Sequence, residues 1–80
     1  MKCLKIRMLS PFYGDQVVEM APLEATELIL EEKEKGRVGF VKFSDGDVMD
    51  MMERTGILQQ LERKEQEGAS ATIVPIIAGG

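Results

Sequence analysis

A run of apolar residues near the end of the chain, IVPII at 73–77, narrows the possible folds more than any other segment. Apolar residues at consecutive positions are typical of a strand that is buried on both faces, whereas a strand with one solvated face alternates apolar and polar residues. Pro75 has no N–H to donate to a neighbouring strand, so we expect sheet pairing to weaken there. The run predicts a central strand over 71–77, with a tail that leaves the sheet after the proline.

Shorter patterns predict three further strands. Residues 2–9 alternate apolar with charged side chains, which is the period of a half-buried strand. Turn residues at 10–15 separate this segment from the β-branched segment 16–20, and two strands joined by a turn form a hairpin. The segment RVGFVKF at 37–43 is rich in β-branched and aromatic side chains and indicates the third of these strands.

The clearest helix is predicted over 22–35. Pro22 suits the first helical position because its missing N–H costs nothing there, and Gly36 suits the left-handed conformation that ends a helix. The apolar stripe of this helix consists of Leu23, Ala25, Leu28 and Ile29. The glutamates among residues 31–34 then form a solvated face.

A second helical segment is predicted over 48–68, with a break or kink near Gly56. Its apolar stripe consists of Val48, Met51, Met52, Leu58 and Leu61. Beyond Leu61 the residues are polar, and we expect this end of the helix to fray into solvent. The methionine cluster at 49–52 admits two interpretations, as filler of gaps in a small core or as a pliable surface for a partner protein.

Together these elements predict an α+β fold of the β-grasp type in a single domain, 1–80. We expect the last strand to lie between the first and the third and to run parallel to the first. The helix at 22–35 packs across one face of this mixed sheet. A chain of 80 residues has room for one small core and no second domain.

Composition excludes several classes of function. Ten basic against 14 acidic residues give a net charge of −4, which argues against nucleic acids and anionic membranes as partners. Cys3 is the only cysteine and cannot form an internal disulfide, and no apolar run reaches the roughly 18 residues of a membrane span. The first residues lack the apolar centre of a signal peptide. We therefore expect a cytoplasmic protein.

Catalysis by the chain alone is not expected. There is no histidine, which is the usual general base. Asp45, Asp47 and Asp50 resemble a calcium-binding loop only loosely, because the later bidentate glutamate is missing. The segment GRVGF at 36–40 has neither the length nor the lysine and hydroxyl residue of a phosphate-binding P-loop. We therefore predict no catalytic residue, no metal site and no bound cofactor.

The order of elements and the final residues resemble those of a known family. The chain resembles the ubiquitin-like β-grasp proteins, and among them the ThiS/MoaD family of prokaryotic sulfur carriers. Members of that family end in an apolar strand, one or two prolines, a small residue and two glycines. The matching residues here are Ile73, Val74, Pro75, Ala78, Gly79 and Gly80.

The resemblance implies a carrier protein rather than an enzyme. An E1-like activating enzyme would use ATP to adenylate the carboxylate of Gly80, which a sulfur donor would then convert to a thiocarboxylate. An acceptor synthase would use this sulfur in cofactor biosynthesis. Gly79 and Ala78 would keep the tail at 78–80 thin enough for narrow enzyme channels, and Pro75 would help to fix where the tail leaves the body.

The resemblance also implies a docking surface for these enzymes. The expected residues of this surface are Phe40, Phe43, Ile76, Met49 and Met52. The two phenylalanines belong to the predicted third strand, and Ile76 follows the proline of the last one. The methionines are candidates only under the interpretation that their cluster is a partner surface.

A different class of function is also open. The chain is similar to the N-terminal domain of phage tail assembly protein I, which shares the apolar strand, the proline and an Ala-Gly pair. The segment GDQVVEM with the following helix and RVGF is similar to small β-α-β modules of phage structural proteins. Both similarities imply a virion or tail-assembly interaction module without chemistry of its own. A carrier needs a free carboxylate at Gly80, whereas such a module does not.

Overall fold

Four strands and two helices make up the described part of the protein. The structure, a computed structural model, describes residues 3–9, 15–50 and 53–75. In chain order the elements are β1 (Leu4–Met8), β2 (Gln16–Met20), α1 (Pro22–Glu34), β3 (Phe40–Phe43), α2 (Arg54–Gln66) and β4 (Ala71–Val74). Within these ranges neither helix is long and apolar enough to cross a membrane.

The four strands form one mixed sheet in the order β2-β1-β4-β3. β1 pairs antiparallel with β2 and parallel with β4, and β3 pairs antiparallel with β4. The predictions of an N-terminal hairpin and of a central last strand parallel to the first are therefore confirmed. The protein is an α+β protein whose sheet, with α1 packed across it, has a β-grasp-like arrangement.

The core lies between one face of the sheet and the two helices. Because side chains alternate along a strand, the pairing registers place one set of residues from every strand on that face. The buried apolar residues are Leu4, Ile6, Ala25, Ile29, Val38, Val41, Phe43, Met49, Ile57, Leu61, Ala71 and Ile73. Burying each of the larger side chains stabilises the fold by about 1.5–3 kcal/mol relative to exposure.

Helix α1 begins at Pro22 and is followed by Gly36, as predicted. Gly36 has a φ of 73°, in the left-handed region where a residue with a Cβ atom is strained. The predicted apolar stripe is only partly correct, because Leu23 is 53% exposed and Thr26 is buried instead. The Thr26 hydroxyl donates to the carbonyl of Pro22 at 2.8 Å, so its polar group is satisfied within the helix.

Helix α2 differs from its prediction at both ends. It begins at Arg54, so the predicted start at Val48 is wrong and Gly56 lies in the first turn rather than at a kink. It also continues to Gln66 instead of fraying after Leu61. The polar end stays helical because one of its residues, Lys64, is buried against the rest of the protein.

Residues 47–49 lie along the outer edge of β3, which explains the late start of α2. The N–H of Phe43 donates to the carbonyl of Asp47 at 2.8 Å, and the N–H of Met49 donates to the carbonyl of Val41 at 2.7 Å. Backbone groups engaged in this way cannot form the first turn of a helix. The segment therefore extends the sheet locally and covers an edge strand.

The sequence overestimates the length of β3 and the burial of β4. β3 contains only Phe40–Phe43. Along β4 the side chains of Ala71 and Ile73 are buried, but those of Thr72 and Val74 are half-buried. Burial on both faces was therefore predicted correctly for one face only, because both helices lie on the same side of the sheet. The predicted strand residues after Pro75 lie outside the described ranges.

Candidate docking surface

We call the sheet face turned away from the helices the open face. The pairing registers place alternate residues of all four strands there. These residues are Lys5, Arg7, Val17, Glu19, Phe40, Lys42, Thr72 and Val74. Three of them are basic and one is acidic, although the chain as a whole has a net charge of −4. Glutamates predominate among the charged residues of α1, so the two sides of the molecule differ in charge.

The apolar part of the open face lies where β4 ends. Phe40 and Val74 are directly paired between β3 and β4, and Phe40 is 42% exposed. The carbonyl of Val74 accepts the N–H of Gly39 at 2.7 Å, and the preceding carbonyl accepts an N–H from the β1 side at 3.3 Å. β4 is thus held on both sides up to its last residues. Pro75 follows outside the strand, as its missing N–H predicts.

Basic side chains flank this apolar pair. In the adjacent row of the open face, Arg7, Thr72 and Lys42 lie side by side on β1, β4 and β3. Arg7 donates to Asp15 at 2.6 Å, and both side chains of this pair remain exposed to solvent. Apolar and basic side chains therefore lie next to one another on this part of the open face.

The structure separates the residues that the sequence placed on one docking surface. Phe40 lies on the open face, whereas Phe43 and Met49 are 2% and 4% exposed and belong to the core. The prediction that Phe43 and Met49 face a partner is therefore wrong. Phe40 and Phe43 are an odd number of residues apart, and a strand sends such side chains to opposite faces. The remaining predicted residues, Met52, Ile76, Ala78, Gly79 and Gly80, lie outside the described ranges.

A second cluster of functional groups surrounds Lys64, which lies in the polar part of α2 that was predicted to fray into solvent. Its Nζ atom lies 2.6 Å from Oδ2 of Asp45 and 2.5 Å from Oδ2 of Asp47. Glu67 Oε1 is 3.6 Å away, and the centroid of the Phe43 ring is 5.1 Å away. The Lys64 side chain is only 3% exposed. The cluster therefore joins α2 to the turn that follows β3.

The charges in this cluster stabilise one another. Hydrogen bonds to Asp45 and then to Asp47 raise the pKa of Lys64 above its ordinary range and outweigh the opposite effect of burial. The hydrogen bond with Lys64 is also the largest cause that lowers the pKa of Asp45. Lys64 consequently remains protonated near neutral pH, and a protonated amine is neither a nucleophile nor a general base. The geometry favours a structural role for it.

Asp45 and Asp47, which the sequence offered as weak candidates for metal ligands, bind this lysine instead. In the part of the chain that the structure describes, no group of three or more His, Cys, Asp or Glu side chains is placed to hold a metal ion. One sequence signal indicates that Lys64 is buried. Residues 57, 61 and 64 have the spacing of one helix face, so the lysine stands at a core position in the apolar stripe.

Basic, apolar and hydroxyl side chains make up most of the described part of the open face. Its acidic groups include Glu19, which lies opposite Lys5 on the neighbouring strand, and Asp15, whose carboxylate binds Arg7. The exposed Phe40 lies beside the end of β4 on this face. Comparison of the sequence with protein-family models gave no match, and neither the curated proteins nor the solved structures gave a significant one.

Proposed function

We propose that the protein is a ubiquitin-like carrier whose working group is the carboxylate of Gly80. The proposal rests above all on the position of β4, which lies in the centre of the sheet and ends beside the exposed Phe40. A strand held on both sides fixes the starting point of the segment that follows it. That segment ends with Ala-Gly-Gly at 78–80, which contains the smallest side chains and suits a narrow enzyme channel.

The proposed chemistry takes place in partner enzymes. In an E1-like activating enzyme, a carboxylate oxygen of Gly80 attacks the α-phosphorus of ATP, and pyrophosphate leaves. A sulfur donor at the oxidation level of sulfide then attacks the acyl carbon, and AMP leaves with the bonding electron pair. The product is a thiocarboxylate, from which an acceptor synthase transfers sulfur into a cofactor. The carrier itself binds no ATP and supplies no catalytic group.

The open face is the proposed docking surface for these enzymes. Phe40 and Val74 form its apolar centre, and an aromatic residue at such a centre commonly dominates binding energy. Arg7 and Lys42 beside them favour a partner with acidic residues around the contact, since complementary charges accelerate and orient association. This arrangement would bring the partner to the end of β4, from which the chain continues to the tail at 78–80.

Intact-mass spectrometry of the protein purified from its own cells tests the proposal. We expect a form that is heavier by about 16 Da, because sulfur replaces one oxygen of the carboxylate. One extra residue after Gly80 should abolish this form. The same measurement shows whether Gly80 carries a free carboxylate in the cell. If no modified form exists and the extended protein works as well as the original, the carrier proposal fails, and a virion or tail-assembly interaction module takes its place.

Substitutions on the open face test its part in the proposal. Phe40→Ala and Lys42→Glu should each lower the fraction of thiocarboxylate, because both residues are exposed beside the end of β4. Lys33→Glu is the matched control, since it makes the same charge change at an exposed position of α1. Circular dichroism establishes that the variants are folded. Equal modification of all three variants would show that the open face is not the docking surface.

A further inference from the structure

The two edges of the sheet are covered differently. At the β3 edge, residues 47–49 form backbone hydrogen bonds with the strand, and Lys64 holds Asp47 in place. At the other edge, no described residue pairs with the outer side of β2. Val17 is 60% exposed and Val18 is 39% exposed. An uncovered strand with β-branched residues at its centre is a template for pairing with another strand.

β2 also lacks the features by which proteins usually protect such an edge. Its sequence, QVVEM, contains no proline and no lysine. It pairs residue for residue with β1, from Leu4 opposite Met20 to Met8 opposite Gln16, so no bulge twists it away. The single charge on β2, Glu19, is already placed opposite Lys5 of β1. The edge is therefore regular, and none of the residues that the structure describes closes it to a further strand.

We propose that β2 pairs antiparallel with β2 of a second copy of this chain, about a two-fold axis beside Val18. In this register Val18 lies opposite Val18 of the second copy, Val17 lies opposite Glu19, and Gln16 lies opposite Met20. The same surface is used by both copies, as in most two-fold dimers. The two sheets then form one continuous sheet with the helices of both copies on the same side.

This register suits both faces of the sheet. On the core face, Ile6 and Val18 of one copy continue into Val18 and Ile6 of the other, which gives an uninterrupted apolar row. On the open face, Glu19 lies between Lys5 of its own chain and Val17 of the second copy, whose neighbour on β1 is Arg7. Apolar pairs and opposite charges in adjacent strands each stabilise a sheet.

The neighbouring registers are less favourable, which is why we commit to this one. A shift by one residue brings the core face of one copy against the open face of the other and interrupts the apolar row. A shift by two residues in one direction places Glu19 opposite Glu19, and in the other direction it places Glu19 opposite Asp15. Like charges directly opposite each other destabilise strand pairing.

Disulfide trapping in a Cys3→Ser background tests the register. Cysteines that lie directly opposite each other in antiparallel strands are within reach of a disulfide. Val18→Cys should therefore form a covalent dimer under mild oxidation, whereas Val17→Cys should not, because residue 17 lies opposite residue 19. Both positions are exposed, so neither variant is expected to disturb the fold. Equal cross-linking of the two variants would contradict the proposed register.

Analytical ultracentrifugation of the otherwise unaltered chain tests the dimer itself. Val18→Lys places two lysines against each other at the axis and should weaken dimerisation by more than about tenfold. Val17→Lys is the matched control, because its lysine would face Glu19 and should leave the dimer intact. A native chain that remains monomeric up to about 1 mM would overturn the proposal. The surface around Phe40 and the end of β4 is distant from the β2 edge and stays free in the dimer, so failure here leaves the carrier proposal untouched.

Discussion

Lys64 is a charged residue at a core position of a very small domain. Removing an ammonium group from water is strongly unfavourable unless hydrogen bonds and opposite charges compensate for it. Here two carboxylates bind the Nζ atom and an aromatic ring lies 5.1 Å away. In the described ranges no buried side-chain nitrogen or oxygen lacks a hydrogen-bond partner. The cluster is therefore fully satisfied, and its stability depends on the charges of its members.

We predict that the free energy of unfolding falls when the pH is lowered below about 4. The pKa of Asp45 is lowered from its ordinary value of 3.8 in the folded protein, chiefly by the hydrogen bond with Lys64. A lowered pKa contributes stability that is present above the ordinary value and is lost as the pH falls through the folded-state value. Urea unfolding between pH 2 and 5 measures the effect. Asp45→Asn should flatten this dependence, and an unchanged slope in that variant would contradict the assignment.

The same linkage predicts a loss of stability in strong alkali. The pKa of Lys64 is raised from its ordinary value of 10.5 by hydrogen bonds to Asp45 and Asp47. The contribution of Lys64 to the free energy of unfolding is therefore complete below pH 10.5 and is lost as the pH rises above it. Lys64→Met should remove this alkaline dependence, which urea unfolding at pH 9 to 12 would show. A parent and a variant with parallel curves would exclude Lys64 as the cause.

Lys64 also contributes through its apolar stem, so we predict that Lys64→Ala destabilises the protein more than Lys64→Met does. Methionine keeps contacts like those of the buried stem, whereas alanine leaves a cavity beside Phe43. Asp45 and Asp47 are 37% and 65% exposed, so water can solvate their carboxylates once the ammonium is absent. Thermal unfolding of the two variants gives the order of their Tm values. Because both variants remove the ammonium, equal Tm values would mean that the loss of charge, not of packing, dominates.

At the scale of the helices, burial was harder to predict than helix formation. Leu23 and Ile57 are both apolar and both near the start of a helix, yet Leu23 is exposed and Ile57 is fully buried. We predict that Ile57→Ala lowers the free energy of unfolding by about 3 kcal/mol, because it removes a buried side chain and leaves a cavity. Leu23→Ala should cost less than about 1 kcal/mol. Comparable losses in urea unfolding would mean that Leu23 is buried in the folded protein, as the apolar stripe predicted for the first helix requires.

The end of α2 depends on the backbone conformation of Gly68. This residue has a φ of 77°, and a Cβ atom built on it would meet nothing within 4 Å. Gly68→Ala should therefore destabilise the protein by about 1–2 kcal/mol through backbone strain alone. Gly68→Asn should cost less, because asparagine tolerates the left-handed region better. Equal losses for alanine and asparagine in urea unfolding would point to a cause other than φ.

For the whole molecule, the sequence predicted the topology better than it predicted the site. The apolar run at the end of the chain placed β4 correctly in the centre of the sheet, because only a central strand is flanked by strands on both sides. The late start of α2 was not predictable in this way, since it depends on pairing between 47–49 and β3. Phe43 was misplaced because a single strand cannot direct both Phe40 and Phe43 to the same surface. The burial of Lys64 was only partly predictable, because it depends on the distant Asp45 and Asp47 as well as on the spacing of Lys64 within the helix.

The central position of β4 makes residues 71–74 responsible for joining the two halves of the sheet. β1 and β3 do not pair with each other, and β4 forms the ladders to both. A chain that ends at Ser70 would lose both ladders together with the buried Ala71 and Ile73. We predict that it does not fold, because a chain of this size has no second core to compensate for the loss.

A chain that ends at Pro75 is the matched control for that truncation. It keeps every pairing of β4, so we expect a cooperative thermal transition by circular dichroism, which the chain ending at Ser70 should lack. The chain that ends at Pro75 also separates folding from the proposed function. It should be folded in its own cells, yet it cannot carry a thiocarboxylate on Gly80. A cooperative transition in the chain that ends at Ser70 would show that the β1–β2 hairpin and β3 hold together without the strand between them.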